Sequence, residues 1–165
     1  MIEQQYLDES VQQLRKLKAQ AEKAIAQIDD EQFFALIDPD ANSIALIMKH
    51  VAGNMRSRWT RFLTTDGEKA DRDRDSEFER ASGEARDAIM ASWEDGWTRT
   101  LGAIGSLRPA DLGATITIRG EPHTVVQAIS RQLSHYSAHV GQIVLLAKHF
   151  AGANWRTLSI PKKKR

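Results

Sequence analysis

The longest apolar-periodic segment of the chain lies near its C-terminus and limits the fold more than any other feature. From Thr124 to about Phe150, Val126, Ile129, Leu133, Tyr136, Val140, Ile143, Val144 and Ala147 recur at spacings of three and four, the period of one helix face. A helix with such a stripe must bury it against other elements. Three more segments supply matching stripes. Between Ile2 and about Ile28 the apolar positions are Ile2, Tyr6, Leu7, Val11, Leu14, Leu17, Ala21, Ala24, Ile25 and Ile28. Between Ile44 and Leu63 they are Ile44, Ile47, Met48, Val51, Met55, Trp59 and Phe62. From about Gly83 to Ser106, Ile89, Trp93, Trp97, Leu101 and Ile104 mark a third, with Gly96 allowing close approach. Four amphipathic helices predict an all-α fold, most simply a four-helix bundle.

The connections carry their own signals. Asp38-Pro39-Asp40-Ala41-Asn42-Ser43 is a turn followed by a helix cap. Thr64 to about Ser82 is charged, alternates in sign and holds little to bury, so it reads as a long solvated loop. Its Asp71-x-Asp73-x-Asp75 spacing resembles the start of a calcium loop, but Ser76 stands where Gly is required and Ser82 where Glu is required. In Thr115–Thr124, alternating Thr and Ile followed by Arg119-Gly120 predict a short β-hairpin before the last helix. Pro122 places the second strand at an edge. Thr124 and Gln127 form a capping-box pattern that starts the last helix. Residues 1–160 thus read as a single domain, and 161–165 as a tail holding Lys162-Lys163-Lys164-Arg165. That tail is a frayed terminus rather than a nucleic-acid contact, because four charges without an aromatic platform grip phosphate weakly.

Composition removes several functional classes. The 165 residues include no cysteine, so disulfides, thiolate metal sites and cysteine nucleophiles are impossible. Net charge is +1 with histidines neutral, which argues against a broad nucleic-acid surface. No apolar run approaches the roughly 18 residues that span a bilayer, and no basic region followed by an apolar run opens the chain. A cytoplasmic location, with no membrane and no nucleic-acid partner, is the expectation.

Within the last helix, His135 and His139 are four residues apart and share a face. Beside the main stripe they lie on a seam with Ala128, Gln132, Gln142 and Leu146. His50 lies on the flank of the second stripe, with Ser43, Ile47 and Asn54. Bundle interiors build metal sites from facing helices, and three imidazoles plus an open position form a catalytic zinc arrangement, with nickel or iron also accepting nitrogen. The competing reading is that these are boundary histidines hydrogen-bonded within the bundle. The pair is not a zincin motif, since Tyr136 stands where that motif needs Glu. Gln132 and Asn54 are candidates to orient the rings. Tyr136 could donate a proton, but its position favours the core. His123 reads as a loop residue, and His149 sits in the last turn, where the helix dipole favours an imidazolium; neither is assigned to a metal.

The segment Asn42 to Met55 resembles the second helix of the DinB/YfiT-like superfamily of bacterial metal-dependent proteins. Thr64-Thr65-Asp66-Gly67-Glu68, His135-x-x-x-His139 and Asn154-Trp155-Arg156-Thr157-Leu158-Ser159-Ile160-Pro161 resemble one uncharacterised branch of it. The resemblance covers nearly the whole chain. It implies an up-down-down-up four-helix bundle with a divalent metal on His50, His135 and His139, and a homodimer formed through helices. Characterised relatives include thiol S-transferases using bacillithiol, mycothiol or glutathione, and a maleylpyruvate isomerase. The implied function is a divalent-metal-dependent enzyme, with zinc or nickel ahead of iron or manganese. A low-molecular-weight thiol would serve as cosubstrate beside a small-molecule substrate. A metal-dependent hydrolase and a non-enzymatic metal-binding helical dimer are the alternatives. The catalytic residues are not assigned.

Overall fold

A computed structural model describes residues 1–160; the basic tail, 161–165, lies outside the described residues. Four long helices and a two-stranded hairpin before the last of them make up most of the chain. They are α1 (Ile2–Ile25), α3 (Ile44–Trp59), α4 (Arg86–Gly105) and α5 (Val125–Ala151), with a short α2 (Asp30–Phe34) after the first. None of these helices is long and apolar enough to cross a membrane.

The pairs in contact are α1 with α5 and α4, and α3 with α4 and α5. Helices α1 and α3 therefore stand across one diagonal, and α4 and α5 across the other, so the chain needs two crossovers. The first carries α2. Asp29 caps it, accepting from Gln32 N while the Gln32 side chain accepts from Asp29 N. This capping box explains why α1 stops at Ile25 rather than Ile28: the chain tightens into i−3 turns (Ile28 N to Ile25 O) to start a new helix. The carbonyls of Ile25 and Ile28 accept from the Arg86 guanidinium at 2.8 and 3.0 Å. The first residue of α4 thus satisfies the end of α1. The second crossover carries the hairpin, β1 (Thr115–Ile118) paired antiparallel with β2 (Glu121–Thr124). Arg119 and Gly120 both have positive φ, 56° and 76°, as a type I′ turn requires.

Helix α3 ends at Trp59, short of the expected Leu63, because Arg61 turns to φ 46° and its carbonyl accepts from Thr64 N and Thr65 N. Its start follows the sequence, with Ser43 Oγ accepting from Leu46 N. Trp93 and Trp97 are wholly buried, as expected of core residues, and meet edge to face at 5.5 Å. At Gly96 a Cβ would lie 3.2 Å from Met55 Cβ and 3.3 Å from Ala52 Cα. Glycine is thus what lets α4 press on α3.

Two expectations need correction. Val126, read as part of the main apolar stripe of α5, is exposed, while Ala128, Gln132 and Leu146 on the neighbouring seam are buried. The 64–82 segment is also more than a solvated loop. Asp66 accepts from Arg119 N and Gly120 N, and Gly67 N donates to Thr117 O, tying the segment to the hairpin. Farther on, a short 3-10 turn, Asp75–Phe78, buries Glu77 against α3. Charge alternation hid this, because buried carboxylates and guanidiniums that neutralise one another read in sequence like a solvated surface.

Candidate metal centre

Packing of α3 on α5 brings His50 to His135 and His139. His50 Nε2 lies 3.3 Å from His135 Nε2, and His139 Nε2 lies 3.1 Å from His135 Nε2. Tetrahedral zinc with nitrogens at about 2.0–2.1 Å separates its ligands by roughly 3.3 Å. All three residues offer ligand atoms within 4.8 Å of one another. The three nitrogens therefore stand close to the spacing one ion needs.

The outer two rings are held in one tautomer. His50 Nδ1–H donates to Glu77 Oε2 at 2.9 Å, and His139 Nδ1–H donates to Gln142 Oε1 at 2.8 Å. Each therefore turns the Nε2 lone pair inward. His135 Nε2 faces both lone pairs and could donate to only one, so the cluster holds more acceptors than protons. A cation resolves that excess, so the donor set fits a metal. The Nδ1 of His135 is buried with no partner, and so is Gln132 Oε1, one turn earlier on α5. Burial, then the neighbouring His139 and His50, push the His135 pKa down to about 4; burial also lowers that of His139. Both rings are thus neutral near pH 7, as ligation requires.

Glu77 is the residue that the sequence did not disclose. It is buried beside His50, and Arg72 grips both its oxygens, Nε to Oε1 and Nη2 to Oε2, each at 2.8 Å. Burial works against this carboxylate, but the hydrogen bonds from His50 and Arg72 outweigh it and hold its carboxyl below the ordinary range. Phe78 lies beside the His50 ring, centroids 4.8 Å apart. Two sequence signals point here in retrospect: Phe78, an aromatic in a charged run, and Gly53, one turn after His50. At Gly53 a Cβ would fall 2.1 Å from Glu77 Oε1. Gly53→Ala should keep α3, since alanine favours helix by about 1 kcal/mol, yet displace Glu77. We expect zinc affinity to fall on the order of 10–100-fold, as when the partner of a ligating histidine is removed. A competition titration against a chromophoric chelator reads this, and wild-type affinity would show that Glu77 does not position His50.

The other candidates fall elsewhere. Tyr136 is wholly buried, donates to Asn54 Oδ1 and accepts from Trp59 Nε1–H, both at 3.1 Å. Its proton and that of Trp59 are spent in the core, and burial raises its pKa. Asn54 thus serves Tyr136 instead of an imidazole, and the rings are oriented by Glu77 and Gln142. His123 lies in β2, opposite Ile116, and His149 is exposed at the end of α5. Asp71 pairs with Arg56, and Asp73 caps Ser76 N; among the described residues only the histidine trio groups ligands for a metal. A cavity of about 860 Å³ lies on the far side of Glu77 between α3, the charged segment and α4, and no imidazole lines it.

Fold and site together define a helical bundle with a three-imidazole cluster between two of its helices. The chain belongs to the DUF1572 family of proteins of unknown function, whose model matches residues 1–164. No curated protein matches it.

Proposed function

We propose that the chain is a divalent-metal-dependent enzyme of the DinB/YfiT-like type that transfers a low-molecular-weight thiol to an electrophile. The observation that carries this reading is the convergence of His50, His135 and His139 through Nε2, with two of the rings turned inward by Glu77 and Gln142. Zinc or nickel suits three imidazoles; manganese prefers oxygen ligands, and the nearest carboxylate, Glu77, is already engaged by His50 and Arg72. A divalent ion held there supplies Lewis acidity that lowers the pKa of a thiol or water bound to it.

The residues of the chain favour an imported sulfur. The protein has no cysteine to act as nucleophile. Glu77 is committed to His50 and Arg72, so it is poorly placed to take a proton from water as a hydrolase would need. In the transfer, the thiol loses its proton to water, its sulfur forms a bond to the electrophilic carbon, and the leaving group departs with the bonding pair of the bond that breaks. Glu77 and Gln142 keep the His50 and His139 rings fixed throughout, and the Tyr136–Asn54 bond keeps that wall of the site rigid. Zinc-loaded protein assayed with glutathione, bacillithiol and mycothiol against an electrophile panel should turn over, and a chelator should abolish the rate. Stoichiometric metal without turnover on any pair would overturn the enzyme reading in favour of a metal-binding helical module. Turnover of ester substrates without thiol would favour a hydrolase.

A further inference from the structure

A second cavity, about 210 Å³, opens directly beside His50 and His135. Five of its lining residues are arginines: Arg58, Arg72, Arg74, Arg119 and Arg131. The rest are the two imidazoles and two amides, and among the described residues no carboxylate lines it. We propose that this cavity binds an anionic group, a carboxylate or a phosphate, of the small molecule that the three-histidine site handles.

The charge count favours an anion. The carboxylates found on these arginines are Glu68 and Glu77. Glu77 accepts from Arg72 alone among them, and Glu68 accepts from Arg72 and Arg119 and stands 3.6 Å from Arg58. Two negative charges thus face five positive ones, and a divalent ion on the histidines would widen the imbalance. Arg58 is the most deeply buried of the five. It is only 3% exposed, yet its Nε and Nη1 have no hydrogen-bond partner. Buried guanidinium donors are normally satisfied. Burial pulls its pKa below the ordinary value, and Glu68 offsets this only in part. Gly67 makes room for it, since a Cβ there would sit 2.9 Å from Nη1. Arg131 lies four residues before His135 on α5, hence on the same face, and is exposed at the cavity rim. A buried arginine in the wall and exposed ones at the rim, Arg74, Arg119 and Arg131, form the usual grip on a carboxylate or phosphate.

The inference takes its substrate from the proposed function, but anion binding can be read without metal. Chelator-treated and zinc-loaded full-length protein would be titrated calorimetrically with succinate and with inorganic phosphate in low-chloride buffer. One equivalent of at least one anion should bind saturably to the metal-free chain, and whichever binds identifies the anion class. Succinamide, neutral and of similar shape, should not bind. Arg131→Gln should weaken binding about tenfold or more, the scale of one hydrogen bond to a charged group, with zinc content unchanged. Arg58→Met should weaken it further; should that buried substitution fail to fold, Arg131→Gln still decides. No saturable binding of either anion, or wild-type affinity in Arg131→Gln, would overturn the proposal. A chain that binds succinate but never zinc would keep this inference and remove the metal reading alone.

Discussion

Glu77→Ala should destabilise the metal-free protein by about 3 kcal/mol or more, the usual cost of breaking a buried ion pair by removing one partner. The reason is Arg72. Its side chain is 4% exposed, and its Nε and Nη2 both donate to Glu77, leaving only Glu68 on Nη1 once the carboxylate is gone. The substitution also frees Nδ1 of His50, the ring whose orientation depends on it. Urea unfolding in the presence of chelator measures the loss without any contribution from metal. The exposed pair of Arg99 with Asp95 makes the control: Asp95→Asn should change stability by no more than about 0.5 kcal/mol. A Glu77→Ala loss as small as that of the control would mean that the 64–82 segment does not pack on α3 in solution.

His135→Ala should abolish stoichiometric metal binding at micromolar metal. His135 Nε2 stands between the other two nitrogens, 3.3 Å from one and 3.1 Å from the other. Metal-binding free energies of roughly 10–16 kcal/mol for four-ligand zinc sites put each ligand on the order of 3 kcal/mol, a hundredfold or more in affinity. The fold should survive. The ring removed carries a buried Nδ1 without a partner, so its deletion relieves an unsatisfied polar atom while opening a small cavity. Circular dichroism should keep the helical signal of wild type while equilibrium dialysis shows the zinc lost. Such a split between binding and stability marks a functional site as distinct from a packing residue.

Much of the bundle was legible because helix formation here is local. The stripes of α1, α3, α4 and α5 have one period, and Ser43 and the Thr124–Gln127 box mark two starts correctly. The ends of α1 and α3 were not legible. The first is set by a new capping box at Asp29, and the second by an αL residue with no glycine to announce it, Arg61. Helix faces offered the histidine trio as candidates, since His50, His135 and His139 each flank a stripe that had to meet another, and the family resemblance joined them at one metal. Its support was not. Glu77 and Arg72 reach the site from a segment without periodicity, where only their mutual neutralisation makes burial tolerable. The arginine cavity escaped for the same reason: Arg58 lies on α3, Arg72 and Arg74 in the charged segment, Arg119 in the hairpin turn and Arg131 on α5. No sequence period joins them.

His50, His135 and His139 should together hold one divalent ion. Purified wild-type protein and His139→Ala would each be loaded with zinc, passed through gel filtration and analysed for metal by mass spectrometry. One ion per wild-type chain is expected, with none above background in His139→Ala and helicity unchanged between them. Stoichiometric zinc retained in His139→Ala, or none in the wild type, would contradict it.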